Sequence, residues 1–288
     1  MRRKGPNERK VFPIKVLYIS DLDGTLLNRD VTLSEYTTRH LNELIEKGVN
    51  FSVATARTAA TCERILEKVH LNTPIILMNG VLVYDIHKKT YIKKEVLTQE
   101  KIRAITKAIH ETGVDGLLYT LKGETLATYY ERISTPAIRA FIDERVQKYG
   151  KPFHPIESFE EIGSDAIYFT FIDTDENIHK LYDAIRDVCG LHIEKYQDIY
   201  SDEGLWYMEV FADTASKYNA VKFLRDTYGY DKIIAFGDNL NDLPMFAASD
   251  VCYAVANAKD AVKAAATEVI PSNLDDGVIK QIEKLESV

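Results

Sequence analysis

The sequence predicts an α/β protein, a doubly wound parallel core sheet interrupted by an inserted α+β domain. Three observations carry that prediction. Residues 16–78 alternate short apolar runs with amphipathic stretches in the order strand, helix, strand, helix, strand, which is how parallel sheets are built. Residues 216–285 resume the same alternation. Between them, from about residue 84 to 211, neighbouring strand pairs with interspersed helices read as a separate antiparallel sheet with helices on one face. The core is therefore expected to be discontinuous, residues 14–83 plus 213–288, with residues 84–212 inserted and residues 1–13 as a tail.

Val16, Leu17, Tyr18 and Ile19 form a buried parallel strand that stops at Ser20-Asp21-Leu22-Asp23-Gly24-Thr25. Thr32-Leu33-Ser34-Glu35 reads as a capping box opening a helix, with Val31 stapled onto Tyr36 and Gly48 marking the end. The next strand, residues 50–54, delivers Thr55, Ala56 and Arg57 to its carboxyl end. A helix over 58–70 presents Ile65, Leu66 and Val69, and Pro74 introduces a third strand, 75–78. In the insert, helices are expected over 99–112, 136–149 and 176–188, with Gly113 as a stop, Thr135 as a cap and Pro136 at a first helical position. Strands are expected over 115–121, 124–130, 166–172, 191–197 and 205–211. Beyond it come a helix (216–228), a strand (232–236), a short helix (243–248), a strand (251–254) and a helix capped by Asn257 (258–266). An edge strand at Val269 and Ile270 and a helix over 274–285 close the chain.

With 288 residues, 45% of them apolar, the chain can bury a proper core in one large or two ordinary domains. A net charge of -8 argues against nucleic acid and anionic membrane surfaces as partners. The one basic cluster, Arg2, Arg3, Lys4, Arg9 and Lys10, reads as a solvated tail, because no apolar segment of secretory length follows it. No stretch approaches the length of a membrane span. Cys62, Cys189 and Cys252 are far apart and odd in number, which fits neither zinc nor a disulfide framework and suits a reducing cytoplasm.

The chemistry concentrates at the strand ends. Side chains of an extended segment alternate, so Asp21 and Asp23 point into one crevice while Leu22 turns into packing. In a doubly wound sheet the ligand crevice lies at the carboxyl ends of the strands. Thr25, Thr55, Asn79, Gly80 and the run Gly237-Asp238-Asn239-Leu240-Asn241-Asp242 fall there too. Asp21, Asp23, Asp238 and Asp242 at one sheet edge need a cation, and an all-oxygen donor set without His or Cys points to magnesium.

These residues carry a resemblance. Asp21-Leu22-Asp23-Gly24-Thr25, Thr55 at the end of an apolar strand, Ser216-Lys217 opening a helix and the run 237–242 are similar to the four ordered motifs of the haloacid dehalogenase superfamily. The insert resembles the large cap of its Cof-type (subfamily IIB) hydrolases, and the match spans about residues 14–288. The resemblance implies a Rossmann-like core and a magnesium-dependent phosphatase of small phosphorylated metabolites, sugar-phosphate-like monoesters among them. It assigns Asp21 as nucleophile and Asp23 as acid and then base, its pKa tuned by a neighbouring carboxylate and the metal. Magnesium would be held by the Asp21 carboxylate, the Asp23 carbonyl and Asp238, with Asp242 holding a bound water. Thr55, the Ala56 and Leu22 amides, Lys217 and Asn241 would contact the phosphoryl group, and Arg57 and Asn79 would face the substrate. Three positions depart from the pattern: Ala56 replaces a usual glycine, Tyr218 a small residue, and Ala212-Asp213-Thr214 a turn richer in Pro and Gly.

Two other readings stay open here: a phosphomutase of the same superfamily, and a catalytically idle sensor of phosphorylated metabolites. Release of free phosphate from hexose phosphates, against positional isomerisation, separates hydrolase from mutase. The cap is expected to move about hinges near residues 83–85 and 212–216 and to offer tyrosines such as Tyr119, Tyr129 and Tyr130 to the ligand. A monomer or weak homo-oligomer is expected.

Overall fold

A computed structural model describes residues 14–197 and 204–287. The basic cluster Arg2, Arg3, Lys4, Arg9 and Lys10 lies outside them. In chain order the elements are β1 (Val16–Ser20), α1 (Glu35–Glu46), β2 (Asn50–Val53), α2 (Ala59–Ile65), β3 (Ile75–Leu77), β4 (Leu82–Asp85) and β5 (Thr90–Lys94). There follow α3 (Gln99–Thr112), β6 (Gly116–Lys122), β7 (Thr125–Tyr130), α4 (Pro136–Tyr149), β8 (Phe153–Pro155), β9 (Ala166–Asp173), α5 (Asp175–Ile185), β10 (Leu191–Gln197) and β11 (Trp206–Ala212). The chain closes with α6 (Lys217–Tyr228), β12 (Lys232–Gly237), α7 (Leu243–Ala247), β13 (Val251–Val255), α8 (Asp260–Ala265), β14 (Glu268–Ile270) and α9 (Gly277–Glu286).

The core sheet has the order β14-β13-β12-β1-β2 and is parallel throughout. β1 is its pivot, paired along its whole length with Lys232–Phe236 on one side and with Asn50–Val53 on the other. Both faces are covered, so β1 and β12 are near-continuous apolar runs; Leu17, Ile19, Ile233 and Ala235 are fully buried. The order reverses beside β1, so Asp21 and its loop stand at the crevice between β1 and β12.

β3 joins that sheet only through one parallel bridge, Ala54 to Ile76. It pairs instead with β4, and β4 with β5, in a small antiparallel sheet. Neither β4 nor β5 was expected, since one is a four-residue run and the other, Thr90-Tyr91-Ile92-Lys93-Lys94, is largely polar and only half-buried. The hinge expected near residues 83–85 is therefore a strand bonded on both sides.

Local details also differ. α1 is capped by Ser34 and not by Thr32, its hydroxyl accepting from the Thr37 amide, so Val31, at φ 63, stands three residues before the cap and out of the register expected for a staple. α2 ends at Ile65, five residues early, yet Leu66 and Val69 stay buried in the following turns. α8 starts after Lys259, and Asn257 serves elsewhere: its side chain donates to the Gly24 carbonyl at 2.7 Å and accepts from the Asn273 amide at 3.2 Å.

The second sheet, β10-β11-β9-β6-β7-β8, is antiparallel except for the β7–β8 pair, and β8 was not expected. Side-chain alternation gives it two unlike faces. Leu118, Phe169, Phe171, Met208 and Val210 pack under α3 and α5 with Ile102, Ile105, Ile178 and Leu181. Tyr119, Tyr168, Tyr207 and Glu209 occupy the other face, where Phe141 of α4 meets Tyr207 with ring centroids 6.3 Å apart. The helices are thus divided between the two faces, α4 lying opposite to α3 and α5, and not gathered on one. Among the described residues no helix is long and apolar enough to cross a membrane. All three cysteines are free.

Candidate active site

The chain leaves β1 through a turn whose geometry follows from its residues. The Asp21 amide still bonds the Phe236 carbonyl at 3.0 Å, and the Leu22 carbonyl then accepts from the amides of Thr25, Leu26 and Leu27. Gly24 adopts φ +78, and a Cβ there would stand 2.5 Å from Asp238 Oδ2, so both backbone and space require glycine. Thr25 donates its hydroxyl to Asp238 Oδ1 at 2.7 Å, tying the loop after β1 to the loop after β12.

Lys217 lies at the first turn of α6, behind the Ser216 cap, and is 2% exposed. Its ammonium donates to Asp21 Oδ1 and to Asp242 Oδ1, each at 2.7 Å. Asp242 is fully buried, and its second oxygen accepts from the amides of Asp238 and Asn239 at 2.9 and 3.0 Å. Oxygens of Asp21, Asp238 and Asp242 all lie within 4.8 Å of one another.

The charges do not balance. One ammonium faces three carboxylates, and the consequences appear in their proton affinities. Burial pushes the Asp21 carboxyl well above its ordinary value; Lys217 opposes that, and the charges of Asp242 and Asp238 add to it. Asp238 is pushed up to about 6, by burial first and by the Asp242 charge, against the Thr25 hydroxyl. Burial would lower the Lys217 pKa, but its two carboxylate partners raise it and keep it charged. A divalent cation fits this donor set: all oxygen, two negative charges in excess, and one oxygen each of Asp21 and Asp238 beyond those held by Lys217 and Thr25. Asp242 has both oxygens engaged by Lys217 and the two amides, so it braces the loop and the ammonium.

The other expected residues sit around this centre. Asp23 is held by Arg57 in a two-pronged pair, Nε to Oδ2 at 2.7 Å and Nη2 to Oδ1 at 2.6 Å, so its immediate partner is a guanidinium and not the expected carboxylate. Thr55 is 1% exposed, with its hydroxyl accepting from the Arg57 amide at 3.2 Å. Leu22 is fully buried, and Ala56 lines the crevice. Asn79, at φ 55, takes its side chain inward; Asn241 donates to its Oδ1 at 3.4 Å, and its own amide reaches Glu194 at 3.0 Å and Glu209 at 3.4 Å. Asn79 thus bridges the crevice loops to the second sheet.

Between core and cap lies a cavity of about 370 Å³ that reaches Asp23, Ala56 and Arg57 on one side and Tyr119, Tyr168 and Glu209 on the other. Of the tyrosines anticipated for ligand contact, Tyr119 lines it; Tyr129 instead packs by the α3–α5 layer near His154, and Tyr130 is half-buried in the other core cluster. Glu209 was missed, and Gly80 and Thr25, which the sequence places at the crevice, act there in ways it did not show. Gly80, at φ +98, lets the loop after β3 approach Ser216, whose carbonyl a Cβ would strike. Thr25 orients Asp238. Glu209 carried a signal, being the only charged side chain in the otherwise apolar run Trp206–Ala212.

The chain's residues 18–282 match the model of the haloacid dehalogenase-like hydrolase family. It is similar to the pyridoxal phosphate phosphatase of Escherichia coli (strain K12), 26% identical over 269 residues that cover 91% of this chain and 95% of that one. It is also similar to a 5-amino-6-(5-phospho-D-ribitylamino)uracil phosphatase of Bacillus subtilis (strain 168), 28% identical with 93% and 96% covered. In three dimensions it resembles a haloacid dehalogenase-like hydrolase from Bacteroides thetaiotaomicron, with a TM-score of 0.77 at 19% identity over 94% of this chain and 99% of that one, a likeness of fold. With a family match over nearly the whole described chain and a lysine-braced acidic crevice at the strand ends, the protein belongs to the haloacid dehalogenase-like hydrolases and is a phosphatase.

Proposed function

We propose that the protein is a magnesium-dependent phosphatase that hydrolyses monoesters of small phosphorylated metabolites through a phospho-aspartate on Asp21. The supporting observation is the Lys217 bridge, which fixes one oxygen of Asp21 at 2.7 Å within an acidic cluster whose ligand oxygens lie within 4.8 Å of one another. An aspartate so held is pre-oriented for attack on phosphorus, while the ammonium stands ready for charge developing on the transferred group. In the first step Asp21 forms a bond to phosphorus as the ester oxygen leaves, and Asp23 gives that oxygen a proton. In the second, Asp23 takes a proton from water, which attacks the aspartyl phosphate and frees inorganic phosphate and the Asp21 carboxylate. Arg57 grips both Asp23 oxygens, so the acid role requires the guanidinium to yield, for instance to the phosphoryl oxygens of the substrate.

Magnesium would be held by Asp21, Asp238 and the Asp23 carbonyl, with Asp242 bracing them. When bound it would neutralise charge on the phosphoryl oxygens. Thr55, the Leu22 and Ala56 amides and Asn241 belong to the same proposal as phosphoryl contacts, and Asn79 as the link to the cap.

Residues 14–83 and 213–288 would form the catalytic unit, and 84–212 the inserted part. Because β5 stays paired to β4 and β4 to β3, residues 84–94 would ride with the catalytic unit and the cap would move about the crossings near 95–98 and 212–216, where Thr214 now bonds Glu95 at 2.7 Å. The substrate class spans pyridoxal phosphate and the phosphoribitylamino-uracil in the relatives' names, and sugar-phosphate-like esters. The enzyme would act in the cytoplasm as a monomer or weak homo-oligomer.

Asp21→Asn tests the reading. Magnesium-stimulated release of phosphate from an aryl phosphate should fall by about 10⁴-fold or more with the circular dichroism spectrum unchanged. Chelation should silence the wild type, and added magnesium should restore it. Turnover retained in Asp21→Asn would remove the nucleophile from the scheme.

A further inference from the structure

The crevice-facing side of the cap sheet is lined by tyrosines, and two carboxyls, Glu209 and its cross-strand neighbour Glu194, stand among them. In β11 the side chains of Tyr207, Glu209 and Phe211 alternate away from Met208 and Val210, which pack under α3 and α5. Register places Glu209 beside Thr170 of β9 and Glu194 of β10. Its partners are neutral: the Tyr196 hydroxyl donates at 3.1 Å and the Asn79 amide at 3.4 Å. That amide is shared with Glu194, which also meets His192 at 3.2 Å.

Glu209 is 8% exposed and forms no ion pair with a lysine or arginine among the described residues. The four cations that line the cavity are engaged elsewhere: Arg57 with Asp23 at 2.6 Å, Arg145 with Glu144 at 3.0 Å and over the Phe141 ring, Lys148 with Glu144 at 3.8 Å, and Lys151 with the Thr58 hydroxyl at 2.8 Å. Tyr168 lines the same cavity, is 2% exposed, and its hydroxyl has no hydrogen-bond partner of good geometry among the described residues. Burial, joined by the Glu194 charge and offset in part by the nearby hydroxyls, pushes the Glu209 carboxyl up to about 7.

A buried carboxyl with neutral donors, next to an unsatisfied hydroxyl and a second carboxylate, is stabilised by whatever brings a donor and a positive charge into the cavity. The walls are flat: the Tyr196 and Tyr207 rings stack at 5.4 Å with 1° between planes, and Tyr119 meets Tyr168 edge-on at 6.0 Å. We propose that Glu209 and Tyr168 read a nitrogen on the leaving group, so that the preferred substrates are phosphate monoesters whose alcohol carries a planar ring bearing an amine or protonated ring nitrogen. This rests on the phosphatase reading and narrows its substrate class. A polyol satisfies the hydrogen bonds of the carboxyl without its charge and sets hydroxyls against ring faces. A nitrogen-bearing ring supplies the donor, the charge and a face for the tyrosines.

Three matched esters test it at about pH 8, where amine and carboxylate are both charged: 4-(aminomethyl)benzyl, 4-(hydroxymethyl)benzyl and 4-methylbenzyl phosphate. The readout is the ratio of kcat/KM values. The amine ester should lead both others by about tenfold or more, and Glu209→Gln should collapse that lead; Tyr168→Phe should reduce it less. An amine that confers no advantage in the wild type, or an advantage that survives Glu209→Gln intact, overturns the proposal. Should Glu209→Gln fail to fold, Tyr168→Phe and the wild-type ratio decide. If the wild type hydrolyses none of the three with magnesium, the phosphatase reading fails by itself. Calorimetry with 4-(aminomethyl)benzyl alcohol against 4-methylbenzyl alcohol then decides the role of Glu209, equal or weaker binding of the amine overturning it.

Discussion

Two buried acidic groups of this protein, one at the strand ends of the core and one on the crevice side of the second sheet, are treated differently by the fold. In the core, Asp21 and Asp242 share the Lys217 ammonium at 2.7 Å each, and two backbone amides complete Asp242. In the cap, Glu209 has a phenol, half a share of one amide and, nearby, a tyrosine hydroxyl with no well-aligned partner among the described residues. The difference teaches where rigidity and where choice reside. Charges that take part in every turnover are fixed by other charges and by backbone. A group that selects among leaving groups is left with capacity to spare, which the ligand fills.

The largest effect that could break this comparison is expected at Lys217. Lys217→Met leaves Asp21 and Asp242 buried without their cation; breaking a buried pair this way costs about 3–5 kcal/mol, read in urea, and phosphatase activity should be lost with it. A variant as stable as the wild type would mean that the acidic centre needs no internal counter-charge. Next comes Thr25→Val, which removes the hydroxyl that orients Asp238 without touching a reacting group. Losing such an orienting partner weakens metal binding by about 10–100-fold, so the magnesium concentration for half-maximal activity should rise accordingly while saturating kcat falls less. An unchanged magnesium dependence would detach Asp238 from the ion.

The cap carboxyl makes a smaller and pH-dependent contribution. Because the folded Glu209 pKa, about 7, lies above the ordinary glutamate value of 4.5, the native state binds more protons than the unfolded chain between those values. Stability therefore declines across that window as pH rises and levels off above it, by up to about 3 kcal/mol from this one group. Glu209→Gln should flatten that part of the curve and gain on the wild type at higher pH. The difference between the two curves isolates Glu209 from Asp21 and Asp238, which drift in the same direction. Parallel curves would mean that Glu209 is ionised at little cost. Smallest of all, Arg39→Ala removes an exposed pair with Glu43 at 3.9 Å and should move stability by under about 0.5 kcal/mol, with activity untouched.

How much of this was readable in the sequence follows the same division. Each part of the acidic centre is announced locally, by an apolar run breaking at Asp21-Leu22-Asp23-Gly24-Thr25 or at the run 237–242, and strand ends in a parallel sheet converge wherever the intervening helices lie. The meeting of Lys217 with Asp21, 196 positions apart, came from motif order alone, since one lysine at a helix start carries no mark of its partner. The cap residues were not legible in this way. Glu209, Tyr168 and Tyr196 sit on three strands whose register no single segment encodes, and Asn79 reaches them only because the chain turns left-handed at Met78 and Asn79. β4, β5 and β8 escaped notice for a related reason: short or half-polar strands are set by their neighbours and not by their own pattern.

The central event of the proposed reaction is a covalent bond from phosphorus to Asp21. The direct test is to mix the wild type with magnesium and a fast aryl phosphate, quench in acid within a turnover, and locate the phosphoryl group by mass spectrometry of the digested chain. A phosphoryl group on the peptide at Asp21, absent from Asp21→Asn, is the predicted result. Burst release of the alcohol with no modified peptide, or a phosphoryl group on another side chain, would contradict it.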